Sequence, residues 1–411
     1  MAALSATAAL TRAPASDTTA RDSLVAERLD TLEAIEALRP DWEALERRCS
    51  RPVLFQSAAW SMHAARHHAG RDGSAPLVVA VRRRGELIAV APLRVVRQGP
   101  VRLAVELGAP FGQYGDILAA DDADGEAVAR AVLDALFGGA AIDGLVLRRM
   151  RADSPLRAPL MARGFAIGSV DAAPYVDLAA AGGFEPLLKT LSTKSRKNLR
   201  NQRNRLARIA TRVEHRIFSP AALREALAVG FEKRLQTLEE KGLTSTAFMD
   251  PGFRAFVDGL PDAPGLEILA MGLMADEVPI SVQWGFLHQG RYYAYITARD
   301  PGYDEVSPGK LHLEDIMRVL SERGVATADL LAPAVPYKFL WTDSACEVVD
   351  VAVPFGIVGR FWLDGWSRRL RPRLRDAFLA LPARIRQPIA RRLARHAAAE
   401  PSASGPLLPR S

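Results

Sequence analysis

The chain has 411 residues, of which 49% are hydrophobic and 25% are charged, and its mean hydropathy is 0.00. This composition is typical of a globular protein and excludes a fibrous, a disulfide-rich and a wholly disordered chain. Because a single hydrophobic core rarely serves more than about 300 residues, the length predicts two domains.

The net charge of +7 is concentrated in two segments. Residues 189–216 hold ten Lys and Arg against one acid, and residues 360–396 hold eleven Arg against two acids. The rest of the chain is therefore acidic. Two cationic patches on an acidic protein favour a polyanionic partner, such as nucleic acid, anionic lipid or the phosphates of a cofactor.

Several features predict a cytoplasmic protein. No run reaches the roughly 18 apolar residues that a membrane span needs, and the first residues lack the pattern of a secretory signal. The two cysteines, Cys49 and Cys346, are far apart in sequence, which fits a reducing compartment. We expect residues 1–22 to form a mobile tail.

Residues 23–174 predict a first α/β domain. Residues 24–48 have a helical apolar stripe, and Ser57 is suited to cap a helix that spans residues 58–69. Two β-rich runs, residues 77–81 and 87–96, flank a charged turn and predict a hairpin. A Gly/Pro-rich stretch at residues 108–115 follows, and then come a helix at 125–137 and a strand at 144–147.

Residues 175–356 predict a second domain with the same kinds of element. Two helices, at about 186–210 and 220–240, precede three strands joined by short turns, which should pair antiparallel. A helix at 308–323 ends at Gly324, and a short strand follows near residues 328–331. A strand, a charged turn and a proline-containing strand occur in both halves. Two copies of one fold would explain this repeat, and so would the commonness of hairpins. We expect residues 357–411 to form a basic helical tail.

The start of the helix at residue 308 is the strongest candidate for an anion site. Ser307 is suited to the N-cap and Pro308 to the first helical position. The N–H groups of Gly309, Lys310 and Leu311 would then lie free at the positive end of the helix dipole, where phosphate binds.

The sequence does not match the residue pattern of a P-loop or of a zinc-binding motif. Six residues separate Gly302 from Gly309, Leu311 stands where a P-loop has Ser or Thr, and a proline interrupts the loop, so a P-loop NTPase is excluded. His63 and His67 lie four residues apart on a predicted helix, but no acid or cysteine completes a zinc motif. We therefore expect no metal and no hydrolase triad.

The order of strand, Ser-Pro-Gly loop, helix and strand, preceded by an antiparallel meander, resembles the acyl-CoA-binding core of the GNAT superfamily of acyltransferases. The residues that carry this likeness run from Tyr303 through Ser307–Leu311, Gly324 and Asp329 to the segment Tyr337–Trp341. In detail they resemble the CelD-like branch, which is associated with cellulose and exopolysaccharide biosynthesis and is similar to the FemAB aminoacyltransferases.

The resemblance implies a mixed α/β (α+β) fold with two tandem GNAT-like halves, each a mostly antiparallel sheet flanked by helices. It implies acetyl-CoA or another acyl-CoA as donor, and direct attack by an amine or hydroxyl of a small-molecule or glycan-precursor acceptor. Thr297, Ser307, Pro308, Gly309, Lys310 and Leu311 would bind the donor. Asp329 and Glu305 are candidate bases, Tyr303 and Tyr337 candidate acids, and Lys338 a candidate for stabilising negative charge. The candidate acceptor-binding residues are Gln113, Tyr114, Asp116, Gln283 and Tyr295.

Two alternatives stay open. A FemAB-type enzyme would take its donor from tRNA bound on the basic helix at 186–210. A catalytically idle homologue would act as a scaffold at an anionic membrane, through the aromatic and arginine-rich segment that begins near residue 361.

Overall fold

The computed structural model describes residues 23–51, 54–71, 73–138, 142–240, 245–370 and 373. Within this part of the chain, thirteen strands from both halves form a continuous sheet. Numbered along the chain, the strands lie in the order 1-2-3-4-6-13-7-12-11-10-9-8, and the fifth strand pairs with the third. Helices flank the sheet. The predicted mixed α/β architecture is confirmed.

The first half begins with a strand. Its strands are β1 (Leu24–Leu29), β2 (Ala75–Arg83), β3 (Glu86–Gln98), β4 (Val101–Glu106), β5 (Leu118–Ala119), β6 (Gly144–Arg151) and β7 (Phe165–Asp177). Its helices are α1 (Leu32–Ala37), α2 (Arg39–Glu46), α3 (Ala58–His68), α4 (Gly125–Phe137) and α5 (Arg157–Arg163). The predicted hairpin, the two later helices at residues 58 and 125, and the strand at 144 are all confirmed.

The single helix predicted for residues 24–48 is wrong. Residues 24–29 are extended and form the edge strand of the sheet, paired antiparallel with β2 from Leu24 opposite Arg83 to Leu29 opposite Val78. These residues form a strand because the distant strand β2 offers unpaired backbone groups to pair with. The local spacing of apolar residues contains no information about such a partner, so it could not predict the strand.

The second half contains the helices α6 (Phe184–Thr190), α7 (Thr193–Ile209), α8 (Pro220–Glu240), α9 (Phe253–Gly259) and α10 (Pro308–Glu322). Its strands are β8 (Val213–Ile217), β9 (Glu267–Ala275), β10 (Val278–His288), β11 (Arg291–Arg299), β12 (Thr327–Asp329) and β13 (Ala345–Pro354). The long helix predicted for 186–210 is two helices, because Ser192 caps a new helix by accepting the Ser195 N–H.

β7 joins the two halves. Its first part pairs with β13, and its last three residues pair with β12. β13, from the C-terminal half, lies between β6 and β7 of the N-terminal half and is antiparallel to both. The division of the chain near residue 174 stays a prediction, and the sheet itself crosses that point without interruption.

The two halves also share hydrophobic core. Phe55 and Trp60 pack with Phe286 and Tyr293 in one cluster of buried residues. Aromatic ring contacts connect them, with Phe55 and Tyr293 centroids 5.8 Å apart and Trp60 and Phe286 centroids 5.6 Å apart. This core holds the N-terminal half firmly against one face of the strands that carry the candidate site.

Candidate functional site

The candidate site lies where β12 ends at Asp329 while its neighbour β11 continues, and we describe the two strands as diverging at this point. The two parallel strands pair only from Arg291 opposite Thr327 to Tyr293 opposite Asp329, and β11 then continues to Arg299. Beyond Tyr293 its other edge still pairs with β10. Alternate backbone groups of residues 294–299 therefore point away from β10, toward the side that β12 has left. α10 connects the two strands, so its N-terminus lies at the same end of the sheet.

Asp329 ends β12 and is buried among four donors. Its Oδ1 accepts the Tyr114 hydroxyl at 2.8 Å and the Leu331 N–H at 2.9 Å. Its Oδ2 lies 3.3 Å from Arg151 and 3.5 Å from Arg291. Burial and the Asp329 charge raise the pKa of Tyr114 well above its ordinary value, so the phenol keeps its proton and donates. We refer to these four side chains, Tyr114, Arg151, Arg291 and Asp329, as the Asp329 cluster.

The Gly/Pro-rich loop of the N-terminal half lies directly against this end of the sheet. Tyr114 contacts Asp329, and the Tyr295 hydroxyl donates to the Phe111 carbonyl at 2.8 Å. Gln113 accepts a hydrogen bond from Arg149 at 2.6 Å. The structure thus brings the predicted acceptor-binding residues Gln113 and Tyr114 to the end of the sheet that holds Tyr295 and Asp329. More than 150 residues separate the first two from the last two in sequence.

Lys338 lies in the C-terminal half, in the segment that follows β12. Its Nζ donates to the carbonyls of Leu331 at 2.7 Å and Pro333 at 2.9 Å, and burial lowers its pKa to about 8. The neighbouring Tyr337 is 39% exposed, and its phenol interacts with Arg234 of α8. Lys338 also interacts electrostatically with Asp329, Arg234 and Arg149.

The helix that begins at Pro308 differs from the predicted anion site in two respects. The N–H groups of Lys310 and Leu311 are not free, because both donate to the Ser307 carbonyl, at 2.9 and 3.4 Å. Ser307 adopts a left-handed conformation and makes no side-chain cap; its hydroxyl instead accepts from Gln202 of α7. The Gly309 N–H has no acceptor among the described residues, and a Cβ at Gly309 would meet nothing within 4 Å.

The remaining predicted residues lie around this region without joining the Asp329 cluster. Thr297 donates its hydroxyl to buried Gln283 at 2.9 Å. Tyr303 and Glu305 lie in the 3-10 turn before α10, and the Glu305 carbonyl accepts from Arg205. Asp116 faces another direction, where it accepts the Ser154 hydroxyl, and burial raises its pKa to about 7.

Sequence reasoning missed four arginines of the site: Arg149, Arg151, Arg234 and Arg291. Three arginines crowd the end of β6, at residues 148, 149 and 151. Buried cations in strands are rare unless they are paired, so this run of arginines could have predicted a charged site at the end of β6. Arg234 and Arg291 carry no such signal, since single cations on a helix or at a strand end are ordinary.

The structure also bears on the predictions for the histidines of α3, for membrane-spanning helices and for the two tails. His63 Nε2 lies 3.0 Å from the Phe256 carbonyl, so this ring takes part in packing α3 against α9. Within the described ranges, no three His, Cys, Asp or Glu side chains group as metal ligands. Among those same residues no helix has the length and apolarity to cross a bilayer. The predicted N-terminal tail and the tail beyond residue 370 lie outside the described residues, except for Arg373.

A family model described as an acetyltransferase (GNAT) domain matches residues 193–339. The match runs from α7 through β12 to Phe339 and so includes the diverging strands and the start of α10. This segment is therefore similar to a GNAT-type acetyltransferase domain, the family that the sequence resembles. Among curated proteins, none matches the sequence significantly.

Solved structures extend the likeness over most of the chain. FemX superposes with a TM-score of 0.58 at 14% identity, covering 82% of this chain and 99% of FemX. At this identity the likeness shows the fold alone.

Two further structures have TM-scores of 0.47, too low to support an argument. A tandem GNAT protein from the clavulanic acid biosynthesis pathway is 12% identical and covers 81% of this chain and 99% of its own. The C-terminal domain of a putative lysylphosphatidylglycerol synthetase from Agrobacterium fabrum is 14% identical, with coverage of 80% and 95%.

Proposed function

We propose that the protein is an acyl-CoA-dependent acyltransferase that transfers an acyl group directly to an amine or hydroxyl. The observation that carries this proposal is the divergence of β11 from β12 beside an accessible start of α10. The donor would lie between the diverging strands, with its diphosphate near the Gly309 N–H and the exposed Lys310. Both features belong to the segment that matches the acetyltransferase family.

The side chains at the site support a division of roles. Lys338 has a third N–H beyond the two that donate to carbonyls, and it is suited to stabilise negative charge that develops during transfer. Tyr337, whose pKa is raised by burial, is suited to protonate the leaving thiolate. Glu305, and less directly Tyr303, remain candidates on the donor side. The four donors around Asp329 favour a positioning role for this residue over proton abstraction.

Donor binding tests the proposal directly. Titration calorimetry with acetyl-CoA should show binding by the full chain and by Gly309→Ala, because an added Cβ meets open space. Gly309→Asp should abolish the binding, since a carboxylate would repel the diphosphate. Binding of acetyl-CoA that is equal in the Ala and Asp variants would contradict the proposed position of the diphosphate. Absence of binding for every acyl-CoA would refute the function.

A second candidate function is transfer from an aminoacyl-tRNA donor. On α7, Lys194, Arg196, Lys197, Arg200 and Arg208 make no ion pair with any described residue. Such a row of solvated cations is suited to a nucleic-acid backbone. If this candidate is correct, RNA should copurify with the protein, moderate salt should release it, and acetyl-CoA should not bind.

We also propose that the end of the described chain contacts an anionic membrane surface. Leu363 is buried and anchors residues 356–370, whereas Ile357, Phe361 and Val358 are 88%, 75% and 55% exposed. Arg360 lies beside them, and the sequence adds eight arginines between residues 371 and 396. This combination of exposed apolar side chains and cations matches an interfacial segment.

Vesicle sedimentation tests this membrane contact. Phe361→Asp should release the protein from vesicles that contain anionic lipid, whereas Met249→Asp, which changes an exposed apolar residue elsewhere, should not. Equal binding of both variants would contradict the proposal.

An acceptor from polysaccharide precursors remains part of the proposed function, and only the sequence resemblance supports it.

A further inference from the structure

Three cations near the end of β12 form no ion pair with a carboxylate of any described residue. Arg149 donates to the neutral amide of Gln113, and Lys338 donates to two backbone carbonyls. Arg234 makes no hydrogen bond or ion pair with any described residue, and burial lowers its pKa. We refer to Arg149, Arg234 and Lys338 as the cation cleft. Lys338 interacts electrostatically with each of the two arginines, so the three cations lie close together.

The position of Arg234 on α8 is fixed by close packing. Gly230, one turn earlier on the same face, lies so near β10 that a Cβ there would be 2.8 Å from the Trp284 indole nitrogen. Arg234 therefore points toward the sheet and the Tyr337–Lys338 segment, where its guanidinium is partly removed from water. On this helix the adjacent residues have their own partners: Lys233 pairs with Asp300 and Glu232 with Arg254.

The acids near the cleft form no ion pair with its three cations. Asp329 faces Arg151 and Arg291 instead, and Asp171 and Asp350 accept backbone N–H groups, from Ala172, Ala334 and Arg149. A partly buried guanidinium without a counter-charge is costly, because its lost hydration is not replaced. Guanidinium groups bind carboxylates and phosphates through paired hydrogen bonds. The cleft thus retains positive charge and donor groups for an anion that arrives from outside the chain.

We propose that the cation cleft binds an anionic group of the acceptor substrate, a carboxylate or a phosphate. This inference rests on the proposed function. Arg234 would hold the anion, with Arg149 and Lys338 beside it, and the nucleophilic end of the acceptor would extend toward the diverging strands. The acceptor is thereby defined as a compound that carries both a nucleophile and a separate negative charge. Neutral amines and alcohols would then be poor substrates.

The test compares Arg234→Gln with a matched variant on the same helix. Arg224→Gln is the control, because Arg224 is exposed, pairs with Asp262 at the surface and lies outside the site. Inorganic phosphate and succinate are the probes, titrated into the full-length protein by calorimetry at constant ionic strength. Acetyl-CoA is titrated into the same three proteins.

At least one probe should bind the wild type and Arg224→Gln equally, and Arg234→Gln about tenfold more weakly, the loss expected for one charge-assisted hydrogen bond. The probe that behaves in this way identifies the anion as phosphate or carboxylate. Acetyl-CoA affinity should be the same in all three proteins. If neither probe distinguishes Arg234→Gln from Arg224→Gln, the inference is overturned. It is also overturned if Arg234→Gln loses acetyl-CoA, because the cleft would then hold a phosphate of the donor.

The outcomes separate the inference from the function on which it rests. Absence of acetyl-CoA binding in every variant, together with a probe that still distinguishes Arg234→Gln, would remove the acyl-CoA function and leave the anion site in place. Arg149→Gln provides a second reading of the site. This substitution should weaken binding of the same probe, since among the described residues the Arg149 side chain has one hydrogen-bond partner, the neutral Gln113 amide.

Discussion

Replacing Asp329 by Asn distinguishes a positioning role from a role as catalytic base. The substitution keeps the size of the side chain and an acceptor oxygen for Tyr114 and Leu331. It removes the negative charge that faces Arg151 and Arg291, and it can turn an amide N–H toward two cations. The Asp329 side chain is 1% exposed and that of Arg151 is 10% exposed, so water cannot replace the lost charge.

Breaking a buried ion pair by changing one partner costs about 3–5 kcal/mol, because the remaining charge is left uncompensated. We therefore expect Asp329→Asn to lower the free energy of unfolding by about this amount. Urea denaturation measures the change. Asp153→Asn is the matched control: Asp153 contacts the same arginine, at 2.8 Å, but its side chain is 41% exposed. An exposed pair contributes about 1 kcal/mol or less.

A different pattern would refute this reasoning. If Asp329→Asn is as stable as Asp153→Asn and its turnover nevertheless falls by about a hundredfold or more, the range expected for loss of a general base, Asp329 is the proton acceptor. If both variants lose several kcal/mol equally, burial does not determine the cost of removing the charge, and the four contacts around Asp329 do not distinguish it from Asp153.

Three further predictions concern stability. Burial raises the pKa of Asp116 from 3.8 to about 7, so the native state keeps a proton that the unfolded chain releases. The contribution of Asp116 to the free energy of unfolding therefore falls as the pH rises from 3.8 through 7. Asp116→Asn should reduce the loss of stability between pH 5 and pH 8 by about 3 kcal/mol in urea titrations, and an unchanged loss would contradict the assignment. Gly230→Ala should destabilise by about 1–2 kcal/mol through its clash with Trp284, whereas Gly309→Ala should not; equal melting temperatures would contradict this difference. Tyr114→Phe should cost about 1.5–3 kcal/mol by removing a hydrogen bond to a carboxylate, without changing acetyl-CoA affinity, and a cost near zero would mean that Asp329 does not need this donor.

The sequence by itself determined the elements whose information is local. The capped helices at residues 58 and 125, the hairpins and the helix that begins at Pro308 were predictable, because caps, turns and apolar periodicity act over a few neighbouring residues. The resemblance of residues 303–341 indicated the acetyltransferase domain, which the family match at 193–339 supports.

Only the tertiary structure decided how these elements combine. β1 is a strand because β2 offers it an edge, and β13 enters the N-terminal half of the sheet between β6 and β7. The Asp329 cluster joins Tyr114 to a carboxylate 215 positions away. Arg234 and Arg149 become notable only because their guanidinium groups form no ion pair with any described carboxylate. Pairing over such distances depends on which surfaces the folded chain brings together, and local sequence contains no record of them.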